Sequence, residues 1–208
     1  MKIISISGKA GSGKDEAHRL MSSYLSSIGK THTRISFASQ LKNNLSAMFN
    51  WDRDRLDNDT AYKEGNTLDD GSTDPACDML GMCRREVMQI YGTDAVRNNL
   101  HTDTWIIVTK LAMLTGKFDS YDYGFITDCR FLNELEFTKS MGGKTIRINR
   151  SGIDTTLTGF TNHSSELEWQ KWDQWDHVIE NRVDLNAPHT SLQQFQSTLI
   201  DTIFKENT

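Results

Sequence analysis

Hydrophobic positions follow two rhythms along this chain of 208 residues. Lys2–Ser7 (KIISIS) is a short β-branched run, and beyond it Ala17, Leu20, Met21, Tyr24, Leu25 and Ile28 recur at helical spacing. The first 28 residues therefore predict a strand, a glycine-rich turn and a helix over 14–28. Thr33–Ala38 predicts a second strand, and Leu41, Leu45, Met48 and Phe49 mark one face of a helix beginning near Ser39. Helical spacing returns over Met82–Tyr91 and Asp103–Leu114, where Trp105, Val108, Leu111 and Ala112 are expected to face a core. Tyr123–Thr127, Ile146–Asn149 and His177–Glu180 predict three more strands. Thr190–Lys205 predicts a closing helix opened by the capping pair Thr190 and Gln193. Between these elements, Asn50–Asp78 is polar and acidic without a steady apolar period, and predicts an irregular insertion or mobile lobe.

Strands alternating with helices imply right-handed crossovers and a mostly parallel sheet covered on both faces, an α/β chain in three α/β/α layers. Ligands of such sheets gather at the carboxyl ends of the strands, where the glycine-rich turn, Asp128 and Arg150 all fall.

Composition narrows the function classes. No apolar run approaches the roughly 18 residues of a membrane span, and the N-terminus lacks the long apolar stretch of a cleavable signal, so a cytoplasmic protein without membrane partners is expected. Cys77, Cys83 and Cys129 make an odd count with no CxxC pair, which predicts free thiols. The six histidines form no HExxH or HxH pattern, which argues against zinc. A net charge of -5 disfavours a nonspecific polyanion surface, so no direct nucleic-acid partner is expected.

The sharpest chemical signal is GKAGSGKD, Gly8 to Asp15. It holds the G-x-x-x-x-G-K core of a phosphate loop, in which successive backbone N–H groups surround phosphate oxygens and Lys14 balances their charge. The loop directly follows a strand and opens a helix whose dipole also favours an anion. The residue after the lysine is Asp15, where the usual motif has a Ser or Thr hydroxyl on Mg²⁺. Its carboxylate is either a hard oxygen ligand for Mg²⁺ or a charge that stabilises the helix N-terminus.

A guanine-reading NKxD is absent, and the DxxG string at 78–81 follows no strand, so a GTPase switch is disfavoured. Small phosphotransferases fit the size best. They need cations for the transferred group and a pocket for an acceptor. Arg84, Arg85 and Arg97 flank RREVMQIYGTDAVRNN, where Arg85, Gln89, Gly92, Thr93, Asp94 and Arg97 could gather around a nucleotide, or form an ordinary solvated helix face. After the Tyr123–Thr127 strand, Asp128 is placed as a carboxylate for Mg²⁺ with Arg130 two residues on, unless the two are a structural ion pair. Arg150 leads into a polar, glycine-containing segment, 151–165, that reads as a lid-like loop.

Together SGKD, SFASQLK (Ser36–Lys42), Lys63–Glu64, RREVMQIYGTDAVR, Trp105, TDCRFLNE (Thr127–Glu134), GGKTIRINR and HSSE (His163–Glu166) resemble the deoxynucleoside monophosphate kinases of tailed bacteriophages, over nearly the whole chain. The resemblance implies a P-loop NTPase fold of the nucleoside-monophosphate-kinase kind. It implies phosphorylation of a deoxynucleoside monophosphate (dNMP) to its diphosphate, with ATP and Mg²⁺, in the cytoplasm of an infected host. On matching positions, Lys9, Ala10, Gly11, Ser12, Gly13, Lys14 and Asp15 would bind ATP phosphates, and Asp15 and Asp128 would hold the metal. Phe37, Ala38, Lys42, Arg85, Gln89, Asp94, Arg97 and Trp105 would face the acceptor, with Trp105 as pocket wall or core rather than stacking platform. Lys14, Asp128, Arg130 and Arg150 would be the catalytic set.

The expected organisation is one kinase domain over 1–208, with 39–115 as the acceptor-binding region and 151–165 as the lid; a homodimer is left open. That lid carries no Lys or Arg, unlike the arginine-bearing lids of adenylate kinases, so Arg150 would do that work. His163 and Glu166 read as lid hinge or cap contacts, with Ser165 and Glu168 a helix-start pair, and Trp169, Trp172 and Trp175 as one apolar helical stripe or an adenine contact. Two other readings stay open: a P-loop kinase of another small phosphorylated metabolite, and a nucleotide-binding protein without turnover.

Overall fold

The computed structural model describes residues 1–150, 168–182, 186 and 188–205. Five strands form one wholly parallel sheet: β1 (Lys2–Ser7), β2 (His32–Ile35), β3 (Tyr123–Ile126), β4 (Lys144–Asn149) and β5 (His177–Glu180). Their order is β2-β3-β1-β4-β5, so the strand that feeds the glycine-rich loop is central. Ile4 lies opposite Phe125 on one side, and Ile6 opposite Ile146 on the other. β1 is buried from Ile3 onward, as a strand covered on both faces should be.

The chain divides into two compact units, residues 1–36 with 111–208, and residues 37–110. In the first, helix α1 (Lys14–Ser27) lays Ala17, Leu20, Met21 and Leu25 onto Ile4, Ile6, Phe125, Ile146, Ile148 and Ile179. Phe195 and Leu199 of the last helix complete this core. Ile28, expected on the same face, is exposed because α1 has already ended and the chain turns at Gly29. The loop and the residues at 36, 128, 150 and 181 follow the carboxyl ends of the five strands, which gathers them along one edge of the sheet.

The second unit corrects the sequence reading most. Residues 50–78 are not an irregular insertion: after α2 (Ser39–Phe49) come three short helices, α3 (Arg53–Asn58), α4 (Thr60–Glu64) and α5 (Pro75–Leu80). Each starts on an aspartate whose carboxylate accepts backbone N–H groups: Asp52 from Arg55, Asp59 from Tyr62, and Asp74 from Ala76 and Cys77. Helix α6 (Arg84–Gln89) continues into a π-helical segment, Ile90–Arg97. Arg84 at the head of α6 is fully buried, and its guanidinium donates to the carbonyls of Tyr62, Gly65 and Thr67 and to Asp74 Oδ2 at 2.7 Å. It also lies 3.8 Å from the centre of the Tyr62 ring. These short helices are held by their caps, by the buried side chains of Leu56, Tyr62 and Cys77, one from each, and by the buried Arg84.

Other departures are local. α7 (Thr104–Leu114) buries Trp105, Ile106 and Thr109, whereas Leu111 is exposed, so the core-facing stripe is rotated from the expected one. α8 (Leu132–Ser140) was not evident as a separate element, and Leu135, Phe137 and Thr138 are its buried face. The tryptophans do not form a helical stripe: a single 3₁₀ turn covers Glu168–Lys171, with Trp169 and Trp172 buried and Trp175 half-buried. The last helix, α9 (Pro188–Ile200), starts before Thr190 and closes in a π turn over Asp201–Lys205. Met48 of α2 is exposed, leaving Leu41 and Leu45 as its buried face. Among the described residues the three cysteines are free, and no helix is long and apolar enough to cross a membrane.

Candidate active site

The glycine-rich loop has the shape its sequence implies. Gly13, at φ 100°, is the N-cap of α1, and no side chain caps the first N–H groups of that helix. A 14-residue helix with an uncapped N-terminus directs those N–H groups and its dipole at whatever lies in front. Gly8 is required for a different reason: a Cβ there would stand 2.4 Å from the Ile148 carbonyl oxygen of β4. Lys14 Nζ donates to the carbonyls of Gly8 (2.7 Å) and Lys9 (3.0 Å), so its ammonium sits over the loop. Arg150 Nη1 donates to the Gly11 carbonyl at 3.2 Å, and Asn181 Nδ2 to the Ser12 carbonyl at 2.9 Å. The Ser12 hydroxyl is buried without a hydrogen-bond partner among the described residues. Such a hydroxyl is costly unless a further group satisfies it, and a phosphate oxygen is an acceptor that can do so.

Two carboxylates belong to this part of the unit. Asp128, two residues beyond β3, accepts from Ser36 Oγ at 2.6 Å, and the neighbouring Thr127 hydroxyl is buried without a hydrogen-bond partner among the described residues. Asp15 is exposed and pairs with Arg34 at 2.9 Å. An exposed pair of this kind contributes little stability, so Asp15 exchanges partners readily. Arg34 has a second effect: His18 is held down at about 4, first by its burial and then by the charge of Arg34. Among the described residues no group of three or more His, Cys, Asp or Glu forms a cage for a metal ion. The donor set instead suits Mg²⁺, which keeps water and phosphate oxygens and takes one or two protein carboxylates.

Arg130 is fixed through its backbone. Its N–H donates to Glu134 Oε2 at 2.7 Å, Phe131 N–H shares that oxygen, and its carbonyl accepts from Trp169 N–H. Glu134 is thus the N-terminal anchor of α8. Cys129, between Asp128 and Arg130, is wholly buried, and that burial, with Glu134 nearby, keeps its thiol well above the ordinary value, so it is protonated.

In the second unit, Phe37 is buried and Ala38 is the N-cap of α2. Lys42 pairs with Asp57 at 2.7 Å, and Arg85 with Glu64 at 2.9 Å. Burial alone would raise the Asp57 carboxyl, but Lys42 and Arg53 hold it below its usual range. Arg97 is buried in the π-helical segment and donates to the Thr102 carbonyl at 2.6 Å. Asp94 accepts from Asn98 and Asn99. Trp105 donates from Nε1 to the Gly92 carbonyl and is buried, as a core or wall residue is. Gly92 lets Leu41 close on it, since a Cβ there would lie 2.3 Å from Leu41 Cδ1. Gln89 Nε2 is buried without a hydrogen-bond partner among the described residues. The expected acceptor residues therefore share α2, α6, the π segment and α7 of one unit, and the phosphate residues share the other. The lid-like segment 151–165, with His163, Ser165 and Glu166, lies outside the described residues.

Sequence reasoning missed Arg34, Ser36 as a partner of Asp128, Glu134 and Asn181. The signal for Asn181 was a polar amide directly after the last strand of a parallel sheet, on the edge where ligands gather.

A model of the deoxynucleotide monophosphate kinase family matches residues 73–190. Along 98% of the chain and 96% of the relative, a protein of Acanthamoeba polyphaga mimivirus provisionally named deoxynucleotide monophosphate kinase is 27% identical over 214 residues. The deoxynucleotide monophosphate kinase of Escherichia phage RB69 is 28% identical over 110 residues, 53% of this chain and 43% of that protein. That of Enterobacteria phage T4 is 35% identical over 78 residues, 37% of this chain and 32% of that protein. The matched stretches thus span less than half of either phage protein.

Proposed function

Because this chain belongs to the deoxynucleotide monophosphate kinase family, we propose that it transfers the γ-phosphoryl group of ATP to the 5′-phosphate of a dNMP, in the host cytoplasm, in the supply of precursors for viral DNA. The observation that carries this reading is the loop of residues 8–15: an uncapped helix N-terminus, a lysine over the loop and a buried serine hydroxyl left for an anion. Three partners for one polyphosphate meet there.

An acceptor phosphate is already ionised near neutral pH, so the chain needs no general base. Its tasks are alignment and neutralisation of charge on the transferred group. In this reading Lys9–Asp15 bind the triphosphate, with the Lys14 ammonium on its terminal oxygens. Arg130 and Arg150 present guanidinium groups to the reacting phosphates. Lys42, Arg85, Gln89, Asp94 and Arg97, with Phe37, Ala38 and Trp105 as apolar wall, orient the nucleotide acceptor. Mg²⁺, when bound, would neutralise phosphate charge, and Asp128 and Asp15 are the carboxylates that would hold it.

A coupled assay of ADP release with ATP and a panel of dNMPs tests the function. Release that depends on at least one dNMP is expected; release indifferent to every dNMP, or none with any of them, rejects it. The metal assignment has its own test. Asp15→Ala is expected to raise the Mg²⁺ concentration at half-maximal rate several-fold, because the Arg34 pair it gives up is worth little. An unchanged Mg²⁺ titration would instead leave Asp15 as the partner of Arg34 and a charge at the helix N-terminus.

A further inference from the structure

We propose that Asn181 is a positioning residue for phosphate binding: it acts through Ser12, fixing the peptide unit that turns the loop into α1. The proposal rests on the reading of residues 8–15 as an ATP-phosphate loop. Asn181 follows β5 directly and is 9% exposed. Its backbone N–H donates to the Asn149 carbonyl at 2.7 Å, which prolongs the pairing of β4 and β5 by one step and anchors the residue on the sheet. Its side chain reaches across to donate from Nδ2 to the Ser12 carbonyl at 2.9 Å. In a trans peptide the N–H stands opposite the C=O. Tying down the Ser12 oxygen therefore directs the Gly13 N–H from the other edge of the same unit, at the mouth of α1 where an anion is bound.

Two features make this more than a packing contact. The loop also needs the amide's volume: a Cβ at position 13 would lie 2.4 Å from Asn181 Nδ2, so the space denied to a side chain at Gly13 is filled by this group. And the Ser12 hydroxyl, on the residue whose carbonyl is held, is left without a hydrogen-bond partner among the described residues. Asn181 thereby anchors the main chain of Ser12 from outside the loop and leaves its hydroxyl for the ligand. The chemistry requires a donor here. A carboxylate of the same shape would set an anion against the Ser12 carbonyl and add negative charge beside a triphosphate.

Donor and space-filler give opposite rankings of two variants, which is the test. ATP and adenosine dissociation constants, kcat, the KM for ATP and for the dNMP, and the melting temperature are measured for the wild type, Lys14→Ala, Asn181→Ala and Asn181→Asp. Asn181→Ala is expected to weaken ATP binding about tenfold, the size of one hydrogen bond, with the adenosine constant and the KM for dNMP within twofold of wild type. Asn181→Asp is expected to weaken ATP binding further than Asn181→Ala. ATP affinity restored by the isosteric aspartate, or equal loss for ATP and adenosine, overturns the proposal in favour of a packing role. If Lys14→Ala weakens ATP binding and both Asn181 variants bind like wild type, the proposal fails and the loop reading stands. If Lys14→Ala binds ATP as wild type does, the loop reading fails and takes this proposal with it. Should Asn181→Ala not fold, Asn181→Ser, too short to reach Ser12, replaces it under the same outcomes.

Discussion

Lys14→Ala is expected to lower kcat by roughly 10²–10³, the usual effect of removing one preorganised donor from a developing anion, with the melting temperature within a few degrees of wild type. The side chain leaves the helix at its first residue, and its ammonium rests on the Gly8 and Lys9 carbonyls rather than in the hydrophobic core. Removing it deletes a charge over the loop and no buried packing. Arginine should not restore the rate, because a planar guanidinium is wider than an ammonium and cannot sit on the same two carbonyls. Steady-state kinetics of ADP release, with melting curves as a control on folding, check this; a kcat within threefold of wild type would remove the lysine from the chemistry.

Arg84→Ala should have the largest effect on stability, about 3–5 kcal/mol, because it strands Asp74 in a buried site. The loss goes beyond one ion pair. The same guanidinium satisfies the carbonyls of Tyr62, Gly65 and Thr67, so residues 62–74 lose their common anchor. Arg84→Lys should rescue little, since one ammonium cannot serve four acceptors arranged around a planar fork. Hydrogen exchange is expected to rise first over residues 62–80.

Acid should narrow the difference. Burial, the largest influence on Asp74, would raise its carboxyl, but the Cys77 N–H and Arg84 outweigh it and hold it below its usual range. Its contribution in the wild type is therefore present above the ordinary carboxylate range and lost as pH falls through the lowered value. Without Arg84 the carboxyl loses a partner that favours its charged form, so the variant is penalised most when the group is charged. The melting gap between variant and wild type should thus be smaller at about pH 4 than at about pH 7. A gap that widens on acidification would contradict the assigned pairing. His18 adds to the acid sensitivity of both proteins: its lowered value means stability present above about 6.5 is lost as pH falls toward about 4.

What could be read from residues alone follows from how local each determinant is. The loop of residues 8–15, the parallel sheet and the His177–Glu180 strand rest on short apolar runs bounded by turn residues, and these patterns are contiguous. Residues 50–78 misled because their helices are too short to show a period. Their signals were single caps, such as Asp74 followed by Pro75 at the first helical position. The partners of Arg84 are mostly main-chain carbonyls, which no side-chain pattern announces. In the tryptophan segment the spacing of three matched a helix equally well as the one 3₁₀ turn that forms. The contact of Asn181 with Ser12 joins residues 169 positions apart, so only the folded sheet brings it into view.

The single direction of all five strands has a practical corollary. Gly29 and Gly142, at φ 70° and 69°, sit in exposed bends that precede β2 and β4, at the end of the sheet opposite the loop of residues 8–15, and their left-handed backbone keeps the two glycines themselves out of reach of substitution. Fluorophores, affinity tags or tethers to a surface attached at exposed residues beside these glycines would stand at the end of the sheet away from the loop of residues 8–15.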